Sequence, residues 1–265
     1  MDNKLFDSKR IASGYANDRP WLHKSVIEQI KIDYADRIPF QNGLDVGCGA
    51  GLSTKALKLI CKKVTGTDIS DEMVCICKTQ YDSAEFTFYT AKAEETEMPQ
   101  TPYDIVTAAG VVDWVDRDRF LENMGQVMSS NAPLIIYDFW ISDKMVENGA
   151  YTEWFWEQYL VNFPKPPRNE NTWAQNDMPK CFSFVKQTVC RMEYEFDLSS
   201  FIRFMLTQTN ISSKIESGCM TEKEVCKWMQ KTLGPIFIEQ SRTLIFDGYI
   251  RIYTRGGINN GQKNC

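Results

Sequence analysis

The chain has 265 residues, 43% of them hydrophobic and 25% charged, with a formal net charge of −5. That length suits one α/β domain carrying an insertion, and the composition is that of an ordinary globular protein. The acidic balance opposes nucleic acid as a partner, because such binding rests on Lys and Arg neutralising phosphates, and no run of about 18 apolar residues is present to span a membrane.

The N-terminal sequence Met1-Asp2-Asn3-Lys4-Leu5-Phe6 lacks the apolar core of a signal peptide, which reads as a cytoplasmic protein. Nine cysteines are scattered without metal-ligand spacing, and an odd number cannot all pair. They read as reduced thiols, with no metal expected. Residues 1–38 read as a helical cap: Pro20 suits a helix start, and Val26, Ile27, Ile30 and Tyr34 recur at helical spacing. His23 is the sole histidine, so any His–carboxylate scheme must use it. Its place in the first turn of that helix reads as structural or exposed.

Leu44 to Val46 read as the end of a buried strand and Leu52 to Ile60 as a helix. Between them lies Gly47-Cys48-Gly49-Ala50-Gly51, a turn whose glycines admit positive φ and close approach of a ligand. The next apolar run, Val64 to Ile69, carries Asp68 about 20 residues on, a usual offset for gripping a ribose. Dinucleotide binders need G-x-G-x-x-G; here the glycines are one residue tighter and follow Asp45, a carboxylate that suits an ammonium or sulfonium better than a pyrophosphate.

With its hydrophobic-D-hydrophobic-G-x-G-x-G pattern, this stretch resembles the first motif of the class I S-adenosylmethionine (SAM) dependent methyltransferases. Tyr15 and the following Arg19-Pro20 resemble the Y-x-x-x-R-P pattern of the small-molecule, trans-aconitate type, in which the tyrosine reaches over the cofactor. Otherwise Tyr15 caps the core. The resemblance implies a doubly wound, seven-stranded, mostly parallel sheet in a single domain, with SAM as cofactor and S-adenosylhomocysteine (SAH) as product. It places Gly47, Cys48, Gly49 and Gly51 at the methionine portion and Asp68 at the ribose hydroxyls, with Ile69 and Met73 on the adenine faces. Asp45 reads as support for the turn.

Ser70 or Asp71 caps a helix to about Tyr81, and Phe86 to Thr90 form a third strand. Ala93 and Glu94 match the A-E pair that the resembled family sets at the adenine edge. Tyr103 to Gly110 form the fourth strand, leading into Asp113-Trp114-Val115-Asp116. Relatives commonly carry H-W-F-D here, so Asp113 stands where histidine would. Either Asp113 acts as the catalytic proton acceptor or the reaction needs no base. Ala109, Gly110 and Trp114 face the methyl acceptor on this reading.

Pro133 to Trp140 form a central fifth strand. Residues 141–197 then read as a lid insertion dense in aromatic residues, with a helix capped by Ser142 and running to about Asn162. Those rings either pack the lid onto the body or wall a substrate pocket, to which Trp140, Trp154 and Tyr159 are assigned. Arg203 and Thr207, in the following helix opened by Asp197, are assigned to substrate as well. Cys190 to Phe196 alternate as a half-buried strand. Thr221-Glu222-Lys223-Glu224 is a capping box for a helix to Leu233, and Asp247-Gly248 between Ile236–Phe246 and Tyr249–Thr254 signals an antiparallel C-terminal hairpin.

Methyl transfer from a sulfonium needs positioning and exclusion of water rather than a leaving-group acid. A small-molecule acceptor is expected. The cations Lys165, Arg168, Lys180, Arg191 and Arg203 favour a carboxylate oxygen, which needs no base; a hydroxyl or ammonium would need proton removal. Two other readings stand beside this one: a silent SAM- or SAH-binding or regulatory protein, and an NAD-dependent oxidoreductase, which Asp68 would fit but the glycine spacing disfavours. The oligomeric state is not legible.

Overall fold

Alternating apolar runs of period 2 and 3.6 fold here into one seven-stranded sheet covered by helices. The computed structural model describes residues 8–95, 102–165, 173 and 178–256. The strands are β1 (Phe40–Val46), β2 (Cys61–Asp68), β3 (Phe86–Thr90), β4 (Ile105–Ala109), β5 (Pro133–Met145), β6 (Phe182–Phe196) and β7 (Arg242–Arg255). Their spatial order is β3-β2-β1-β4-β5-β7-β6. The first five are parallel, while β7 runs antiparallel between β5 and β6. Strand order reverses between β1 and β4, and ligands of open α/β sheets bind outside the carboxyl ends of the strands at such a point. Val46 lies opposite Ala108 in that pair, so the turn after β1 and the loop after β4 leave the sheet side by side.

The N-terminal cap comprises α1 (Lys9–Asn17) and α2 (His23–Asp33). Ser8 caps α1 by accepting from the Ile11 amide, and Val26, Ile27 and Ile30 of α2 are buried as their spacing predicts. α3 (Leu52–Leu57) and α4 (Asp71–Gln80) follow β1 and β2. Ser70 accepts from the Met73 amide and so starts α4. α5 (Arg117–Val127) begins at Asp116, whose carboxylate accepts from the amides of Asp118 and Arg119.

Three expectations fail beyond Trp140. β5 does not stop there but runs to Met145, and the Ser142 hydroxyl accepts from the Lys144 amide instead of capping a helix. The helix starts at Ala150 as α6 (Ala150–Glu153), passes through a π-helical turn (Trp154–Tyr159) and ends as α7 (Leu160–Asn162). Of the expected lid insertion, residues 141–197, residues 182–196 are instead β6, an edge strand of the main sheet. Finally, Asp247-Gly248 makes no hairpin turn. Helix α10 (Glu222–Phe237) runs past Leu233, and β7 then continues through Gly248 with partners on both sides. The antiparallel end of the sheet stands as expected, built from β6 and β7. Gly248 serves close strand approach: a Cβ there would lie 2.4 Å from the Asp138 carbonyl oxygen and 2.9 Å from Phe139 Cβ.

α8 (Leu198–Leu206), α9 (Thr209–Glu216) and α10 pack with α6 and its π turn over the carboxyl end of β5. Their shared core is aromatic, with Tyr151, Trp154, Phe163, Phe201 and Phe237 all buried. Each such ring contributes roughly 1.5–3 kcal/mol by leaving water, so this cluster fastens these helices to the sheet. Seven cysteines are free thiols, but Cys181 is disulfide-bonded, against the expectation that all are reduced. Among the described residues no helix is long and apolar enough to cross a membrane, and no cluster of metal-ligating side chains occurs.

Candidate functional site

The turn after β1 is tied to the tip of β2. The Cys48 amide donates to the Thr67 carbonyl at 2.8 Å, and the Gly49 amide donates to Asp68 Oδ2 at 2.8 Å. Asp68 Oδ1 accepts from the Ser70 amide at 3.0 Å. Burial pushes the Asp68 carboxyl above its usual range, and those amides work the other way. Gly47 has φ +65°, and a Cβ there would stand 2.2 Å from Val111 Cγ2, so both the backbone and the loop after β4 demand glycine.

Beneath the turn, Asp45 is fully buried. Its Oδ2 accepts from the hydroxyls of Ser53 (2.6 Å) and Thr54 (2.7 Å), and its Oδ1 from Thr107 (2.9 Å). It therefore bolts β1, α3 and β4 together as a support. Burial raises its carboxyl to about 6, offset in part by the three hydroxyls.

Above the turn lies Tyr15, its Cδ1 3.7 Å from where a Gly49 Cβ would be. The Arg19 guanidinium stacks 3.7 Å from the Tyr15 ring centroid. Arg19 also donates from Nε to Thr207 Oγ1 and from Nη2 to the Thr207 carbonyl, both at 3.2 Å. Thr207 is thus a buried clamp on Arg19.

One cavity of about 1540 Å³ opens over these groups, larger than the 300–1,000 Å³ usual for a single small ligand. Of the fourteen residues expected at the cofactor, twelve line it. Tyr15, Arg19, Gly47, Gly49 and Asp68 surround the turn. Ile69, Met73, Ala93 and Glu94 form one end, and Ala109, Gly110 and Trp114 lead inward. The Glu94 carboxylate also accepts from the Asp116 amide at 2.8 Å, fixing the loop after β4 against that corner.

The two exceptions are Cys48 and Gly51. The Cys48 side chain is buried with Val74, Cys77 and Phe88, and its hydrogen bond with Cys77, together with burial, pushes its thiol up. Gly51 serves packing: a Cβ there would lie 2.5 Å from Tyr81 Cε2.

Asp113 stands on the cavity wall, and so do Trp140 and Tyr159. Trp154 does not. It is 1% exposed, stacks on Tyr159 and donates its indole N–H to Thr232 Oγ1 at 3.0 Å. Arg203 is not on the wall either, and its Nε donates to Asp18 at 3.1 Å at the surface. The π turn explains the split in the aromatic run, since it aims Phe155 and Tyr159 at the cavity while Trp154 stays in the core. Such turns recur at functional sites.

Of the five cations expected near the acceptor, Lys165 reaches the wall. Lys180 is exposed, Arg191 is bonded to Asp247 at 2.9 Å, and Arg168 lies outside the described residues.

Sequence reasoning missed several wall residues. His23 lines the cavity, with Nδ1 2.9 Å from the Tyr137 hydroxyl and its ring edge-on to Phe139 at 4.9 Å. Burial, aided by the Arg19 charge, lowers its pKa to about 3, so the imidazole is neutral. Tyr137 is also buried, and its hydroxyl is pushed well above the ordinary value. Gln208, Thr209 and Asn210 at the start of α9 line the far side. Asn210 accepts from the Tyr159 hydroxyl at 3.1 Å and donates to the Phe163 carbonyl at 2.6 Å. The sole histidine was one available signal, and Thr207-Gln208-Thr209, which resembles a T-x-S-like sequence that relatives carry near the substrate, was another; Asn210 gave none.

Comparison with known proteins places this site in context. Residues 44–136 match the family described as "Methyltransferase domain". The malonyl-[acyl-carrier protein] O-methyltransferase of Bacillus anthracis is 23% identical over 128 residues, 47% of this chain and 47% of that protein. The ubiquinone biosynthesis O-methyltransferase of Bradyrhizobium diazoefficiens is 30% identical over 95 residues, 35% of this chain and 38% of that protein. The match thus spans less than half the length of these curated relatives. Among solved structures, a protein assigned as a type II methyltransferase from Anaeromyxobacter dehalogenans superposes with a TM-score of 0.64 at 18% identity, covering 86% of this chain and 94% of that one. A Haemonchus contortus phosphoethanolamine N-methyltransferase, solved with phosphomonomethylethanolamine and SAH, superposes with a TM-score of 0.52 at 15% identity, covering 97% of this chain and 58% of that one. At those identities the likeness is one of fold.

Proposed function

We propose, from the premise that residues 44–136 are a methyltransferase domain of the class I SAM-dependent type on that family's seven-stranded sheet, that the chain transfers a methyl group from SAM to a small molecule. One observation carries the reading. The Asp68 carboxylate is bonded to the Gly49 amide at the mouth of a cavity at the switch point of the sheet. A carboxylate there accepts from ribose hydroxyls, and the bare backbone at Gly47 and Gly49 admits an amino-acid moiety. Two carboxylates about the turn, Asp45 and Asp68, oppose a diphosphate, so the donor set fits SAM better than a dinucleotide.

When bound, SAM supplies an electrophilic methyl whose departure leaves a neutral thioether. The chain's own work is then placement. Tyr15 and Arg19 would hold the cofactor against the turn, Ile69 and Met73 would pack on its base, and Glu94 would secure the corner beside it. Ala109, Gly110 and Trp114, which line the inner wall, would orient the acceptor towards the methyl, and the aromatic wall would exclude water. The cavity's volume leaves room for both molecules at once.

For the acceptor, a carboxylate oxygen has Lys165 as its anchor on the wall. Asp113 is the residue assigned to accept a proton when the acceptor needs to lose one.

Titration calorimetry with SAM, SAH and NADH tests the reading: SAM and SAH bind and NADH does not. Binding of NADH without SAM would replace it with an oxidoreductase. Release of SAH with a panel of small acids, amines and phenols separates an enzyme from a silent binder, which would bind SAM and turn over none.

A further inference from the structure

The start of α2 is tied to the glycine turn from three sides. The Trp21 indole N–H donates at 2.9 Å to the carbonyl of Leu52, the residue after Gly51. Arg19 stacks over Tyr15, which itself lies against Gly49. The Tyr137 carbonyl accepts from the Gly110 amide at 2.9 Å, so the residue bonded to His23 is held to the loop beside the turn. His23 therefore meets the cavity near the end where an amino-acid moiety would lie.

Hydrogen counting fixes what the imidazole offers there. His23 Nδ1 and the Tyr137 hydroxyl are 2.9 Å apart, and one hydrogen lies between them. Were Nδ1 the donor, the hydroxyl's own hydrogen would be buried without an acceptor, since Tyr137 is 1% exposed and its hydroxyl has no other partner among the described residues. The hydroxyl therefore donates, and burial with the Asp45 and Asp138 carboxylates keeps its proton in place. Nδ1 accepts, and the neutral ring carries its one hydrogen on Nε2. Burial and the Arg19 charge lower the ring's pKa to about 3, so Nε2–H stays a donor throughout the neutral range. Arg19 uses Nε and Nη2 on Thr207 and makes no ion pair among the described residues, which leaves its charge and Nη1 for a ligand. The other cations of the described wall stand elsewhere: Lys92 and Arg117 by Ala93 and Glu94, Lys165 beyond α7, and Arg251 on β7 over Tyr249. An amino acid lying across the turn finds Asp45 and Asp68 on the sheet side and these two donors on the α2 side.

Resting on the cofactor reading above, we infer that His23 is a cofactor-binding residue, its Nε2–H donating to the carboxylate of the cofactor's amino-acid moiety beside the Arg19 guanidinium. Tyr137 is the positioning residue, because its hydroxyl sets which nitrogen holds the hydrogen. Both contacts to the carboxylate are charge-assisted and so among the stronger hydrogen bonds. The chain's sole histidine then takes no part in moving a proton.

The test is calorimetry on the full chain with two probes, SAH and S-adenosyl-3-thiopropylamine, which is SAH without its carboxylate. Wild type is expected to bind SAH about a hundredfold tighter, and His23→Phe to cut that preference about tenfold while affinity for the thiopropylamine holds within about twofold. His23→Gln, which keeps an N–H near the place of Nε2, is expected to restore part of the preference. A merely structural histidine would instead weaken both probes alike. Equal binding of the two probes by wild type, equal losses in His23→Phe, or undiminished SAH affinity in that variant overturns the proposal and leaves the cofactor reading intact. Nitrogen-15 NMR of the histidine-labelled wild-type chain decides the matter even where the variants do not fold, because a single imidazole gives the signals. With SAH bound, hydrogen on Nε2 and a bare Nδ1 are expected, and hydrogen on Nδ1 overturns the proposal. Failure of SAH itself to bind sinks the cofactor reading, and this proposal with it.

Discussion

Replacing Asp68 by alanine separates the two tasks assigned to its carboxylate. In the structure it accepts from the Gly49 amide at 2.8 Å and the Ser70 amide at 3.0 Å, so it holds the glycine turn to the start of α4. On the proposed reading its remaining lone pairs receive ribose hydroxyls. Hydrogen bonds to a charged group are worth about 1.5–3 kcal/mol, so losing the ribose contact weakens SAH binding by about tenfold to more than a hundredfold. The two orphaned amides add a separate cost in stability, which thermal unfolding without ligand measures independently. Calorimetric titration of the folded variant with SAH is the assay. Asp68→Asn is the companion variant, since an amide oxygen still accepts one hydroxyl and restores part of the affinity. A folded Asp68→Ala protein that binds SAH as tightly as wild type would show that the sugar lies elsewhere.

Gly47→Ala forces a side chain onto φ +65° and to 2.2 Å from Val111 Cγ2. The backbone strain alone costs about 1–2 kcal/mol, and urea denaturation is expected to show a larger loss, part of it recovered by adding Val111→Ala; a neutral Gly47→Ala would refute the close approach. Trp154→Ala removes a buried core ring and is expected to cost about 3–5 kcal/mol of stability. By contrast Trp140→Ala, at a position 44% exposed, leaves stability nearly unchanged and lowers SAH release with the acceptor panel; the opposite pattern would reverse the assignment of the two rings. His23 has a folded pKa of about 3 against 6.5 in the unfolded chain, so the unfolded state binds more protons between those values. Its contribution is present above pH 6.5 and is lost as pH falls towards 3, by about 4–5 kcal/mol in all. Asp45 runs the other way, its share lost as pH rises to about 6. Stability curves for wild type minus His23→Gln isolate the histidine, and a difference flat with pH would contradict its burial.

The parallel half of the fold was legible because its signals are local. The turn at Gly47, the Ser70 cap and the Thr221 capping box each lie within a few residues of what they determine, and Asp68 reaches the turn within a single strand–helix–strand unit; the structure has them where they were expected. The other half depends on contacts distant in sequence. Asp247-Gly248 has the chemistry of a tight turn, but β5 and β6 pair with it from both sides and hold it extended. Ser142 has the chemistry of a helix cap, but Ile141 to Met145 are taken up by β7. Trp154 and Tyr159 are five apart in one aromatic run, and nothing in that run marks which one a π turn will aim inward. Gly51 belongs to the motif by spacing yet answers to Tyr81, thirty residues on. At the site, residues carried by the glycine turn were readable, while those supplied by α2, the end of β5 and the start of α9 meet only once the sheet has formed.

The central claim is that one cavity holds the sulfonium nucleoside at the turn and the acceptor beside it. A crystal structure of the chain with SAH tests this most directly. The account predicts the ribose hydroxyls within hydrogen-bond reach of Asp68 and the homocysteine sulfur facing past Gly110 towards the acceptor's side of the cavity. A nucleoside bound away from Asp68, or a sulfur turned away from that side, would contradict it.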